Sequence, residues 1–274
     1  MKPPRVLYVL GTSYSGSTLL NALMARHSEI VALNEVVNLG SELRDVPPNH
    51  ARHPLRQPLW RQVDARFRAQ GSKLDEIDLS YGWRDAYLGG SAARRRWRLQ
   101  NERLMSALRA ELGERWFVDA SKHYRRLDQM QMAQWDVRVV HVVRDGRSVV
   151  ASGLKRGFGF AQLMMSLHLD ASRAERLRRR LPADRFSRLH YEDVTRDPEA
   201  AAKKLCGLLH LAFEPAMVAL NDPVGHPTAV GAKGFWMLRR GLELTRPEPA
   251  RLSPALERAY LGAGGPRRDR RLRA

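Results

Sequence analysis

Five short apolar runs punctuate this chain, at residues 6–10, 30–33, 116–118, 137–143 and 186–191. They are near-continuous rather than alternating, the pattern of strands covered on both faces. Between them, apolar residues recur at helical spacing. Leu19, Leu20, Leu23 and Met24 share one face after the first run, and Val149, Val150 and Leu154 follow the fourth. A third helix is predicted near residues 198–211, with Asp197-Pro198-Glu199 as its start signal. Strands separated by helices predict an α/β fold in three layers, α/β/α, with a central, mainly parallel sheet of about five strands.

The pattern changes between residues 41 and 114. Pro47, Pro48, Pro54 and Pro58 interrupt its first part, and polar helical segments follow. We read this stretch as a helical insertion within a single domain spanning residues 1–274, and as a place where acceptor specificity is set. Residues 262–274, opening on Gly262-Ala263-Gly264-Gly265-Pro266 and rich in arginine, are expected to form a flexible basic tail. No internal repeat is visible.

Composition narrows the classes. Forty-seven Lys and Arg against 29 Asp and Glu give a net charge of +18, which favours anionic ligands. The single cysteine, Cys206, allows no disulfide within the chain and no cysteine-based metal site, and its apolar context predicts an inert buried thiol. No stretch approaches the ~18 apolar residues of a spanning helix. The first apolar run is too short for a signal sequence, so the expected location is the cytoplasm.

Two motifs carry chemistry. After the first strand, Gly11-Thr12-Ser13-Tyr14-Ser15-Gly16-Ser17-Thr18 has the spacing of a Walker A loop, but Ser17 stands where the lysine belongs. Backbone N–H groups at residues 15–18 and the Ser17 and Thr18 hydroxyls can cradle a phosphate at a helix N-terminus. Without the lysine that grips β- and γ-phosphates, NTP hydrolysis and kinase chemistry are disfavoured. In the second motif the strand 137–143 ends in Arg144, Asp145 is placed to cap the next helix, and Ser152 follows about two turns on. Arg144 and Ser152 are candidates to converge on one phosphate.

Together these motifs resemble the sulfotransferases that use 3′-phosphoadenylyl sulfate (PAPS), and the Gly-Ser-Thr-Leu-Leu spelling is closest to bacterial and carbohydrate-type members. The first motif resembles that family's 5′-phosphosulfate loop. The second resembles its 3′-phosphate motif, R-D-x-R-x-x-x-x-S. The resemblance runs from about Val6 to Trp236 and implies a P-loop-like fold. It implies that Tyr14, Ser15, Gly16, Ser17, Thr18, Arg144 and Ser152 bind the donor nucleotide, joined by Lys233 and Gly234 in a loop near the C-terminus. One departure stands out: the family usually carries Lys or Arg where this chain has Tyr14, and a phenol is uncharged at neutral pH.

The resemblance extends to the catalytic groups. Lys122, in Asp119-Ala120-Ser121-Lys122-His123, matches the family's lysine near the transferring group and is the candidate to supply the missing charge. Glu35, after the second strand, matches a catalytic glutamate of carbohydrate-type members and is the candidate general base. His123 is the runner-up, with an ordinary pKa near ~6.5. His141 lies inside a strand and reads as a satisfied core histidine. Tyr191 and Glu192 lie in a segment resembling the family's Tyr-Glu-Asp-Leu and are expected to anchor the last strand.

The expected function is sulfuryl transfer from PAPS, leaving 3′,5′-ADP, to a hydroxyl or less readily an amine of a sugar, lipid or small molecule. No metal is expected, because no cluster of His, Cys and acidic residues has ligand spacing. Two alternatives stay open. One is a P-loop nucleotide kinase with a degenerate loop and Asp119 as its magnesium carboxylate. The other is a basic nucleic-acid-binding protein, for which no recognition motif is present. Acceptor identity and oligomeric state are not encoded in any motif here.

Overall fold

In the computed structural model, residues 2–221, 230 and 250–273 are described. Five strands, β1 (Arg5–Leu10), β2 (Ile30–Asn34), β3 (Trp116–Asp119), β4 (Asp136–Val143) and β5 (Phe186–His190), form one parallel sheet in the order β2-β3-β1-β4-β5. The apolar runs are the strands, as their double-sided burial requires. Each of the first four strands extends its run by one residue, and the last is one shorter, because Tyr191 leaves the strand and opens a helix.

The helices follow in chain order. α1 (Ser17–Met24) follows β1, and α2 (Leu39–Asp45), α3 (Pro58–Ala69), α4 (Trp83–Tyr87) and α5 (Gly90–Leu112) lie between β2 and β3. α6 (Tyr124–Met132) joins β3 to β4, and α7 (Gly146–Leu154) and α8 (Phe160–Arg180) join β4 to β5. α9 (Tyr191–Arg196), α10 (Pro198–Leu209), α11 (Pro254–Gly262) and α12 (Gly265–Arg273) complete the described elements.

Alternation along β1 divides the core. Leu7 and Val9 face α1 and α10, packing with Leu20, Leu23, Ala202 and Leu205. Val6, Tyr8 and Leu10 face the opposite layer, packing with Trp60 and Phe67 of α3, Trp97 and Leu108 of α5 and Leu127 of α6. The inserted helices therefore are not an appendage. They supply one of the two layers that bury the sheet, and truncating a ring such as Trp97, 1% exposed, costs about 3–5 kcal/mol.

A buried ion pair ties that layer to the sheet. Arg126 Nε donates to Asp119 Oδ2 at 2.9 Å, with each side chain 3% exposed. Its Nη1 donates to the Leu79 carbonyl and to Asn101 Oδ1, both at 2.6 Å. Asp119 Oδ1 accepts from the Ser121 N–H at 2.9 Å, so the same carboxylate shapes the loop leaving β3.

The C-terminal segment corrects one expectation. Residues 265–273 form α12 rather than a flexible tail, with Leu272 1% and Arg268 4% exposed. Leu272 packs with Val143 and Ala171, the Tyr260 hydroxyl donates to the Asp269 carboxylate, and Arg268 Nη1 donates to the Arg144 carbonyl at 3.1 Å. Arg268 and Leu272 are four residues apart, hence on one helix face. The high density of arginine around them conceals that stripe.

Helices α1 and α6, which follow the adjacent strands β1 and β3, lie on opposite faces of the sheet. In an open parallel sheet such a reversal opens a crevice at the strands' carboxyl ends. The loop entering α1 depends on Gly16, at φ 99°. A Cβ there would collide with the Tyr191 ring.

Two outcomes follow for stability. Arg126→Leu leaves Asp119 buried and unpaired, and equilibrium urea unfolding should show a loss of about 3–5 kcal/mol. Gly16→Ala combines a positive φ with the collision against Tyr191, and the same measurement should show a loss of at least about 2 kcal/mol.

Candidate functional site

The loop between β1 and α1 is a ring of unpaired donors. The Ser15 N–H donates to the Thr12 carbonyl at 3.2 Å, closing a turn, so this N–H is not free as the sequence reading expects. The N–H groups of Gly16, Ser17 and Thr18 have no backbone acceptor among the described residues, since Leu19 and Leu20 take the Gly16 carbonyl. The Thr12 and Ser15 hydroxyls are buried with no partner among the described residues. Buried hydroxyls are rarely left unsatisfied, and here they surround a helix N-terminus that favours an anion. These residues fit a phosphate or phosphosulfate group.

Arg144 joins this loop directly. Its Nη1 donates to the Tyr14 carbonyl at 3.2 Å, its guanidinium stacks 4.4 Å from the Tyr191 ring centroid, and its Nε is buried without a partner among the described residues. Asp145 caps α7 by accepting from the Ser148 N–H at 3.0 Å, and Glu192 Oε1 accepts from the Asp145 N–H at 2.8 Å. Tyr191 and Glu192 thus brace both the loop after β1 and the turn after β4, a larger part than anchoring a strand. Ser152 lies farther along α7, and its hydroxyl bonds to no described residue. Lys233 and Gly234 lie outside the described residues.

The second half of the site lies across the crevice, in a cleft of about 470 Å³ lined by Gly11, Ser13, Glu35, Lys122, His123 and Arg173 among others. Lys122 Nζ donates to Glu35 Oε1 at 2.8 Å, and Asn38 Nδ2 donates to Oε2 at 3.2 Å. The lysine side chain is 17% exposed and the glutamate 39%, so the carboxylate is held yet open to the cleft. His123 reaches the same cleft. Burial lowers its pKa below the ordinary 6.5, against the pull of Asp119, and its backbone N–H and carbonyl are both tied to the Tyr8 hydroxyl at 3.0 Å.

Tyr14 remains without a charge of its own, but Arg156 lies over its ring, 5.5 Å from the centroid. His141 is fully buried, with Nε2 2.9 Å from Asp170 Oδ2. The Tyr124 hydroxyl donates to the other oxygen of Asp170 at 3.0 Å, which pushes the tyrosine's pKa well up, chiefly through burial. Cys206 is buried, and burial raises its thiol to about 11, as an inert core thiol should be. The α8 residues that line the cleft, Gln162, Ser166, Asp170 and Arg173, escaped the sequence reading. Their three- and four-residue spacing is the signal that was present.

Three residues at the rim hold left-handed backbone conformations without being glycine: Tyr14 at φ 68°, Asn34 at 56° and Lys122 at 64°. They end, or follow closely upon, the adjacent strands β1, β2 and β3. Asn34 is pinned by an Nδ2 bond to the Val230 carbonyl at 2.7 Å.

The kinase alternative loses its magnesium ligand in this arrangement. Asp119 is 2% exposed, and both its oxygens are taken, by Arg126 and by the Ser121 N–H. Among the described residues no group of three or more His, Cys, Asp or Glu side chains is arranged to hold a metal ion, and no helix is long and apolar enough to cross a membrane.

Comparison with known proteins agrees with this geometry. The sulfotransferase domain of the Synechococcus PCC 7002 olefin synthase superposes with a TM-score of 0.56 at 18% identity, covering 96% of this chain and 95% of that one. The sulfotransferase domain from the curacin biosynthetic pathway gives 0.56 at 17% identity, covering 96% and 98%. A sulfotransferase from Alicyclobacillus acidocaldarius gives 0.50 at 15%, covering 99% and 95%. Such identities speak to the fold alone. No curated protein matches the sequence. Residues 5–215, however, match the sequence pattern of the Sulfotransferase family, a span that holds the loop after β1, the Lys122 loop and the Arg144 turn. On that match the chain belongs to the sulfotransferase family.

Proposed function

We propose that this protein transfers a sulfuryl group from PAPS to an acceptor hydroxyl, with Glu35 as general base. The observation that carries the reading is the Glu35–Lys122 pair, 2.8 Å apart, opening onto a cleft that the donor-rich loop also lines. When bound, PAPS supplies the sulfuryl group and departs as 3′,5′-ADP.

The chain's own residues divide the work. The N–H groups of Gly16, Ser17 and Thr18, with the Thr12 and Ser15 hydroxyls, hold the phosphosulfate end. Arg144 offers its unpartnered Nε to the 3′-phosphate, and charge-assisted bonds of this kind contribute about 1.5–3 kcal/mol each. Glu35 takes the acceptor proton at a carboxylate oxygen that Lys122 and Asn38 orient. The Lys122 ammonium favours negative charge as it develops on the leaving group, a role the uncharged Tyr14 does not perform. Asn34 and Ser121 set the backbone beneath these groups, through bonds to Val230 and from the Val37 N–H.

Thermal-shift titration tests the donor. 3′,5′-ADP should raise the melting temperature at concentrations where ATP and AMP do not, and Arg144→Ala should weaken its binding by about 10–100-fold, the equivalent of the bonds lost. Stabilisation by ATP but not by 3′,5′-ADP would sink the reading.

Turnover tests the base. Glu35→Gln should lower kcat by at least about 100-fold, in line with loss of a general base, with 3′,5′-ADP affinity nearly intact. His123→Asn provides the contrast. Since burial lowers the His123 pKa, its imidazole is already neutral above pH 6.5 and gains charge only as pH falls below that value. A neutral imidazole is competent as a base, so the level of kcat above pH 6.5 decides between the two groups: with Glu35 as base, His123→Asn should lower kcat there by about threefold or less. A loss of about 100-fold with His123→Asn and not with Glu35→Gln would make the histidine the base.

A further inference from the structure

A second cleft, of about 670 Å³, adjoins the catalytic one and shares Lys122, His123, Tyr124 and Arg173 with it. Its wall is basic: Arg125, Arg173, Arg176, Arg179 and Arg180 all line it. On the same helix Arg178 pairs with Glu175 at 2.7 Å while Arg179 lies 3.6 Å from it. Arg125, Arg173, Arg176 and Arg180 have no ion-pair partner within 4.0 Å among the described residues. Asp128, the carboxylate in the lining among the described residues, feels the charges of Arg180 and Arg125 but lies within 4.0 Å of none of these arginines.

These arginines are ordered along one track. Arg173, Arg176 and Arg180 repeat at three- and four-residue spacing on α8, continuing the face on which Gln162, Ser166 and Leu169 line the catalytic cleft. Arg173, where the clefts meet, packs 5.7 Å from the Tyr124 ring centroid. At 1.5 Å per residue, the helix carries Arg176 about 10 Å and Arg180 about 16 Å beyond Leu169. Unpaired guanidinium groups on a partly apolar wall with Tyr81 and Leu177 are a receptor for an oxyanion.

We propose, resting on the sulfuryl-transfer reading, that the acceptor is elongated and carries an anionic group, a phosphate, sulfate or carboxylate, reaching from the reacting hydroxyl into the adjoining cleft, a span on the order of 10 Å. That group docks on Arg173, Arg176 and Arg180, while the hydroxyl lies beside Glu35. The remote charge fixes which hydroxyl reaches the base, so the arginine track acts as a specificity determinant.

Isothermal titration in the presence and absence of 3′,5′-ADP tests this with ω-hydroxyoctyl phosphate, the matching sulfate, ω-hydroxyoctanoate, octanediol and the short hydroxyethyl phosphate. At least one long anionic probe should bind tenfold or more tightly than octanediol and than hydroxyethyl phosphate, and the three anions show which oxyanion is preferred. Arg176→Gln with Arg180→Gln should erase that advantage, leaving the octanediol affinity and the 3′,5′-ADP thermal shift unchanged. Arg196→Gln with Lys203→Gln removes the same net charge from α9 and α10 and should leave the advantage intact. No advantage in the wild type, its survival in the α8 variant, its loss in the control, or displacement of every probe by a tighter-binding single-stranded oligonucleotide would each overturn the proposal. Retention of the advantage without any response to 3′,5′-ADP would instead overturn sulfuryl transfer and leave the anion cleft standing.

Discussion

The pair between Asp119 and Arg126 is the contact on which both the fold and the site rest. The aspartate ends β3, the arginine begins the helix after it, and both are cut off from water. Two charges in that position are tolerable only when each is fully engaged. Arg126 meets this demand by reaching the Leu79 carbonyl and Asn101, so the inserted layer is fastened to the sheet where the sheet opens into the crevice. Asp119 meets it by accepting the Ser121 N–H, which turns the chain toward Lys122. One electrostatic requirement therefore sets how the helical layer docks and where the lysine stands.

The donor side is built differently, by stacking rather than by charge pairing. Tyr191 lies against Gly16 on one side and Arg144 on the other, so a ring joins the loop after β1 to the turn after β4. Glu192 holds the start of α7 and Arg268 holds the Arg144 carbonyl. The family pattern ends at residue 215, yet a helix beyond it steadies the arginine that the pattern contains. The described C-terminal helices are thus part of the support of the proposed donor site.

Much of this was readable along the chain because the relevant signals are local. Near-continuous apolar runs gave the strands, and a strand followed by a donor-rich loop and a helix gave the anion cradle. The proposed catalytic residues came from likeness to known motifs rather than from spacing. What stayed hidden depends on partners distant in sequence. Nothing around Tyr191 says that its ring will close against Gly16, and nothing around Arg126 says that it will find Asn101. The C-terminal arginines look like a solvated run because charge outnumbers Leu272, the apolar residue that docks the helix. The track on α8 is hidden for the same reason: within the run from Arg176 to Arg180 charge masks the spacing, which shows only beside the neighbouring cleft.

Tyr14, Asn34 and Lys122 share a backbone conformation that glycine adopts more readily than any of them. Each holds its place at a conformational cost of roughly 1 kcal/mol. The strain is concentrated where three neighbouring strands deliver their chains to the crevice. Selection for thermal stability alone would drift toward glycine at these positions, and at Lys122 that drift would remove the ammonium beside Glu35. On the role proposed for Lys122, the rim of the cleft is where robustness and reactivity make opposite demands on the same residues.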